Sequence, residues 1–279
     1  MPPERRRPLP PSNRRHRKSL PGAASTGSAP FFVLETTLIT SPHNDKLKEV
    51  RRLHRRREGR FVAEGEDLLE AAAVAGWPAV YELRSGIDVE PELLDQVSGL
   101  GSGTRALAVY EQRWSAPTGP LCVALWGVHD PGNVGTILRS AAAFGASCVA
   151  IGPDTADPFG PKAVRASMGA IFSVPVARVA SVAQLPAPRL ALVAGAADRL
   201  DGPGDGTLVV GAERTGLPEE VVASCDGAVR IDIAGDSLNA AMAASIGLYE
   251  LRRGAGGGHV AAGGGPPGRV SDTDTVRDR

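Results

Sequence analysis

Aromatic side chains are scarce in this chain: they make up 4% of its 279 residues. A core with so few rings must close on small aliphatic side chains, and a hydrophobic share of 42% is enough to build one of substantial size. Cysteine is equally sparse. Cys122, Cys148 and Cys225 are odd in number and far apart in sequence. They exclude a disulfide scaffold and a CxxC zinc site, and they point to a reducing compartment, the cytoplasm. No apolar run approaches the ~18 residues of a membrane-spanning helix, so no membrane partner is expected. The arginine-containing start lacks the apolar stretch of a secretory signal. Net charge is absent too, with 31 basic residues against 31 acidic ones.

The charge that is present is unevenly spread. Residues 1–34 open with seven basic side chains, from Arg5 to Lys18, among repeated prolines. Such a segment holds no helix and buries no core, and reads as a disordered basic tail that either contacts RNA or aids solubility. The sequence DKLKEVRRLHRRREGRF (45–61) is a second basic block. Leu47, Val50 and Leu53 recur at helical spacing, which leaves Arg51, Arg52, Arg55, Arg56 and Arg57 on the opposite side. A solvated helix face is the ordinary meaning of a charge run. The excess here favours binding of a polyanion, because the arginine fork grips phosphate oxygens in pairs. Residues 254–279 are low-complexity and glycine-rich, and read as a disordered tail.

Two ordered blocks lie between the tails. In 35–112, FVAEG, VYELR and RALAVY alternate with helical EDLLEAAAVAGW and PELLDQVSGLG, which predicts a small α/β domain with a mainly parallel sheet. Residues 113–120 read as a linker. In 121–253, LCVALWGV is a continuous apolar run, as expected of a strand buried on both faces. SCVAIG, ALVAG, TLVVGAE and AVRIDI read as further strands. TILRSAAAFGA, KAVRASMGAIF and SLNAAMAASIGLYELRR read as helices, the last with Ser237 near its N-cap.

Three segments place polar residues directly after apolar strands, where open α/β sheets form ligand sites. In GVHDPGNVGTILRSAAAFG, Asn133 and Arg139 span the loop–helix junction, and Arg139 sits in an otherwise apolar helix. In VVGAERTGLPEEV, a strand ends at Gly211 and leads to Glu213. In RIDIAGDSLNAAMAASIG, Ser237 and Asn239 open a helix. Taken singly, these read as a surface arginine, an ordinary junction and a capped helix. No strand is followed by GxGxxG or GxxxxGK[ST], which removes the usual dinucleotide and P-loop fingerprints.

In this order and spacing, the segments resemble the three signature motifs of the SpoU (TrmH-type) branch of the SPOUT RNA methyltransferases. DPGNVGTILRSAAAFGA is similar to the first motif, LVVGAERTGLP to the second and IDIAGDSLNAAMAASIGLYE to the third. KAVRASMGAIFSVPV matches a stretch these proteins carry between the first and second. RFVAEGEDLLEAA is similar to the L30e-like substrate-binding domain that precedes the catalytic domain in many ribosomal-RNA members.

The resemblance implies an α/β chain with a SPOUT trefoil-knot catalytic domain behind a small L30e-like α/β domain. It implies S-adenosyl-L-methionine as methyl donor with no metal, a ribose 2′-hydroxyl of RNA as acceptor, and a homodimer formed through the catalytic domain. Large-subunit ribosomal RNA is the expected substrate. Transfer RNA, and a non-catalytic RNA-binding assembly role for the same fold, are the alternatives. Arg139, Asn133, Glu213, Ser237 and Asn239 are implied as catalytic. Arg139 would stabilise the developing oxyanion or take the proton, and Glu213 would orient Arg139 or Asn133. Gly211, Ile231, Leu238 and Ala240 are implied as donor contacts. Two departures stand out: Arg214 where the family has Gly, and Ile231-Asp232-Ile233 where it has Ile-Pro-Met.

Overall fold

The computed structural model describes residues 38–56, 58–202, 204–235 and 237–253. Both expected tails and Arg57 lie outside them. The first element is helix α1 (Asp45–Arg55), capped by Asn44, whose side chain accepts from the Lys46 N–H at 2.9 Å. Its Leu47, Val50 and Leu53 are buried, and Arg52, Arg55 and Arg56 face outward.

Strand β1 (Arg60–Glu64), helix α2 (Glu66–Val74), strand β2 (Tyr81–Arg84), helix α3 (Pro91–Val97) and strand β3 (Ala106–Glu111) follow. The alternation is as expected, but the sheet is not parallel. Its order is β1-β3-β2, and both pairings are antiparallel. The first two strands are not neighbours. The third enters between them in the opposite direction, and strand-by-strand periodicity carries no trace of that choice.

The second sheet has seven strands in the order β6-β5-β4-β9-β7-β10-β8, all parallel. They are β4 (Leu121–Leu125), β5 (Cys148–Ile151), β6 (Val176–Arg178), β7 (Arg189–Leu192), β8 (Asp198–Arg199), β9 (Gly206–Val210) and β10 (Gly227–Arg230). Every residue of β4 and β9 is buried, as a strand covered on both faces requires. Cys122 and Cys148 face each other across β4 and β5 as free thiols.

Three of the expected helices depart from their expected bounds. Helix α4 (Pro131–Ala143) starts five residues earlier than its apolar spacing suggests. Asp130 caps it through a 2.7 Å bond from the Gly132 N–H, and Pro131 occupies its first turn. The helix expected over 162–172 is two, α5 (Pro161–Ala166) and α6 (Ala170–Ser173), broken where Met168 and Gly169 take φ of 49° and 89°. Helix α7 (Glu219–Ala223) is short. Helix α8 (Ala240–Arg253) starts after Asn239. Gly135 lets α4 press against α5: a β-carbon there would meet the Ala163 carbonyl oxygen at 2.3 Å.

One apolar core runs across both sheets, from Phe61 and Leu68 to Leu125, Ile137 and Leu248. At its centre lies half of the chain's sparse aromatic set. The Phe61 ring stands 5.0 Å from Phe159, 5.8 Å from Phe172, 5.7 Å from Tyr110 and 6.1 Å from Trp77. Trp114 packs edge-on against Phe159 at 5.1 Å. The expected linker is therefore anchored at its start, where Ser115 also bridges to Ala177 on β6.

A buried carboxylate joins the same elements. Glu64, at the end of β1, is 2% exposed and lies 3.2 Å from His54 of α1 and 3.8 Å from Arg165 of α5. The Gly99 N–H donates to it at 2.8 Å. Burial works against its charge, but the bonds from His54 and Gly99 and the charges of His54 and Arg165 outweigh that and hold its pKa below the ordinary value.

Candidate active site

The carboxyl ends of β7, β9 and β10 open on a cavity of about 330 Å³. Leu192 and Ala194 line it after β7, residues 210–216 after β9, and Ile231, Ile233, Ser237 and Leu238 after β10. Ala240 and Ala243 of α8 close it. Gly211, Ile231, Leu238 and Ala240 all lie on this one wall, with Glu213 and Ser237.

The shape follows from the chain's small residues. Ala212 and Gly216 bond to each other in both directions, folding 212–216 into a tight turn over β9. A β-carbon on Gly211 would meet the Gly216 carbonyl carbon at 2.4 Å and the Leu217 nitrogen at 2.5 Å. Only glycine fits beneath that turn. The wall thus combines peptide groups and small aliphatic side chains with the polar Glu213, Arg214, Thr215 and Ser237.

Beside the cavity, three of the expected polar residues form one hydrogen-bonded row. Asn239 Nδ2 donates to Asn133 Oδ1 at 3.1 Å, and Asn133 Nδ2 donates to Glu213 Oε1 at 2.5 Å. Asn133 comes from the first turn of α4, Glu213 from the turn after β9 and Asn239 from the start of α8, so the row ties all three motifs together. Of the two partners expected for Glu213, the bonded one is Asn133.

The cap of α8 is Asn239, not Ser237. Asn239 Oδ1 accepts from the Ala241 and Met242 N–H groups at 2.9 and 3.2 Å. Ser237 is left exposed at the cavity. Arg139 stands apart. It is exposed on α4, it does not line the cavity, and no hydrogen bond or ion pair engages it among the described residues. Asp232 turns to Arg230 at 3.0 Å and Arg199 at 3.3 Å, outside the cavity wall.

Sequence reasoning missed Leu192, Ala194, Thr215 and Ala243. The first two were reachable, since ALVAG is a strand whose carboxyl end faces the same crevice. It gave Arg214 only as a departure, and that residue lines the cavity too. Away from the cavity, Lys48, Arg51, Arg52, Arg55 and Arg56 share a shallow depression on α1. Arg51 is held by the Pro42 carbonyl at 2.8 Å, and Arg55 and Arg56 have no ion pair among the described residues. Among the described residues, no group of three or more His, Cys, Asp or Glu could hold a metal, and no helix is long and apolar enough to cross a membrane.

Comparison with known proteins bears on this site. The family model described as SpoU rRNA Methylase family matches residues 120–249. The Bacillus subtilis 23S rRNA (guanosine(2553)-2′-O)-methyltransferase RlmP is 30% identical, over 77% of this chain and 98% of that one. A crystal structure of an AdoMet-bound rRNA methyltransferase from Sinorhizobium meliloti is 30% identical, with TM-score 0.70 over 78% of this chain and 97% of that one. The SpoU methyltransferase AviRb from Streptomyces viridochromogenes, solved with AdoMet, is 28% identical, with TM-score 0.67 over 75% and 97%.

Proposed function

Because this chain belongs to the SpoU rRNA methylase family, we propose that it methylates a ribose 2′-hydroxyl of large-subunit ribosomal RNA. It is an S-adenosylmethionine-dependent RNA methyltransferase. The reaction of the Bacillus subtilis relative supports both the ribosomal target and the 2′-oxygen. The observation that carries the proposal is the Glu213–Asn133–Asn239 row beside a cavity walled by Gly211, Ile231 and Leu238.

The residues present fit the donor. Gly211 lets the 212–216 turn close tightly over β9, and Leu192, Ile231 and Leu238 in the cavity beside it offer apolar contact to a planar ring. When bound, S-adenosylmethionine supplies an electrophilic methyl group on its sulfonium. Gly211, Ile231, Leu238 and Ala240 hold it through main chain and small side chains. Glu213 fixes the Asn133 amide, and Asn133 in turn fixes Asn239, so neither amide must reorganise as the ribose arrives. The Ser237 hydroxyl is available to the incoming sugar. A ribose hydroxyl is a weak nucleophile near neutral pH, so charge developing on its oxygen needs a partner. The Arg139 guanidinium serves by electrostatic stabilisation of that oxygen.

Residues 121–253 carry catalysis, with the family's knot, and the gathering of residues 211–216 with Ile231, Ile233, Ser237 and Leu238 around one cavity supports it. Residues 35–112, joined by 113–120, bind RNA through the α1 arginines. A homodimer through the catalytic part completes the assembly, and Met242 and Tyr249, 57% and 49% exposed on α8, supply an apolar face for one. A ribosomal substrate places the work in the cytoplasm. The test is to map 2′-O-methyl groups in ribosomal RNA from cells with and without the gene. One position should lose its methyl group without the gene, and an unchanged map contradicts the reading.

A further inference from the structure

A second concavity, of about 630 Å³, opens on the same edge of the parallel sheet, past the carboxyl ends of β5 and β6. Trp114, Pro153, Thr155, Pro158, Arg178 and Gln184 line it. The Arg178 guanidinium lies over the Trp114 ring, 4.2 Å from its centroid. Trp114 is itself fixed: its indole N–H donates to Gln112 Oε1 at 3.3 Å, and its ring meets Phe159 edge-on at 5.1 Å. Arg178 is exposed at the end of β6. A cation is thus held over an aromatic ring at the lining of the groove.

The groove is tied to the candidate active site by its own backbone. The Gly127 N–H donates to the Pro153 carbonyl at 3.1 Å, and the Ala156 N–H to the Val128 carbonyl at 2.9 Å. His129 Nδ1 lies 2.8 Å from the Asp154 carbonyl oxygen that accepts from it. These bonds join the loop after β5 to the loop after β4, which leads directly into α4 and Asn133. Strand β5 is two positions from β9, about 10 Å across the sheet at ordinary strand spacing.

We propose that this groove binds an unpaired nucleobase of the RNA substrate, flanking the nucleotide that is methylated. An exposed base stacks on arginine planes and aromatic faces, and Arg178 on Trp114 offers both in series. The guanidinium meets the adjoining phosphate. Gly152, Pro153 and Pro158 narrow the slot beside the stack, and Asp157 also lines it. The groove then reads the substrate's neighbouring nucleotide, and the 330 Å³ cavity holds the donor. The proposal rests on the RNA-methyltransferase reading above.

The test titrates the full chain with a single-stranded oligoadenylate hexamer, read by tryptophan fluorescence. The oligomer should quench emission in the wild type, and the quench should be lost in Trp114→Phe. Arg178→Ala should weaken binding by about tenfold, the worth of one stacked base, and Arg178→Lys should recover only part of it. Melting temperature and S-adenosylmethionine affinity should stay unchanged in Arg178→Ala, since the side chain is exposed and far from that cavity. Any pattern in which the quench survives Trp114→Phe, or Arg178→Ala binds as well as wild type, overturns the proposal. Methyl transfer to ribosomal RNA is measured in parallel on the wild type. Its absence strikes the underlying reading, while transfer without the groove effects strikes this proposal alone.

Discussion

The two sheets keep their polar groups in opposite places. The antiparallel sheet presents its charge on a helix face, where α1 carries Arg52, Arg55 and Arg56 outward over a buried Leu47–Val50–Leu53 stripe. The parallel sheet is buried throughout its central strands β4 and β9, and gathers the polar residues of its candidate site on one edge. The difference follows from covering. A sheet buried on both faces has only its ends free, so Glu213, Asn133 and Asn239 can meet only where strands give way to helices. A polar surface can be edited residue by residue, whereas a row at a strand end depends on three elements arriving together. Glu64 is the exception that links the regions, a carboxylate inside the apolar seam that touches α1, α5 and the segment after α3.

The comparison is sharpened most by Arg139→Ala. It should lower the methyl-transfer rate constant by about 100-fold or more, the worth of one oxyanion-stabilising group. Donor affinity by calorimetry should be unchanged, because Arg139 does not line the cavity. An equal loss of donor binding would move Arg139 into the donor pocket.

Glu64→Gln comes next, with an expected loss of about 2 kcal/mol in chemical denaturation, as for a charged hydrogen-bonded group removed from the interior. Its pH dependence has a definite sign. The folded pKa is depressed, so the stabilisation is complete above the unfolded value near ~4.3 and is lost as pH falls through the folded value. Wild type and variant should differ most at neutral pH and converge in acid. A constant difference across pH would mean Glu64 acts by shape alone.

Gly211→Ala should weaken S-adenosylmethionine binding about tenfold, since the new methyl must push the 216–217 backbone away. Calorimetry reads it directly, and RNA affinity should not move. Smallest is the double change Arg55→Ala and Arg56→Ala. It should reduce RNA affinity a few-fold and lower the slope of log affinity against log salt by about 1 per phosphate contact removed. Donor affinity and melting temperature should not follow.

Much of this was legible in the residues. The apolar runs LCVAL and TLVV mark strands covered on both faces, and Leu47, Val50 and Leu53 mark the buried stripe of α1. The rule that ligands sit past strand carboxyl ends brings Gly211, Glu213 and Ile231 to one crevice. What was hidden depends on contacts between distant segments. The antiparallel entry of β3 between β1 and β2 leaves every strand's own pattern unchanged. Ser237 and Asn239 are both good caps, and spacing alone does not choose. Asn239 is favoured because one amide can cap α8 and still reach Asn133. Trp114 looks like a residue of a proline-bounded linker, and only the fold shows it wedged between Phe159 and Arg178.

The central claim is that the row beside the cavity serves transfer to a sugar oxygen. The most direct measurement incubates the purified chain with methyl-tritiated S-adenosylmethionine and ribosomal RNA from cells lacking the gene, then hydrolyses the RNA in alkali. A methyl group on a 2′-oxygen blocks cleavage at that nucleotide, so the label should appear in alkali-resistant dinucleotides. Label recovered in mononucleotides, or none in RNA at all, would contradict the account.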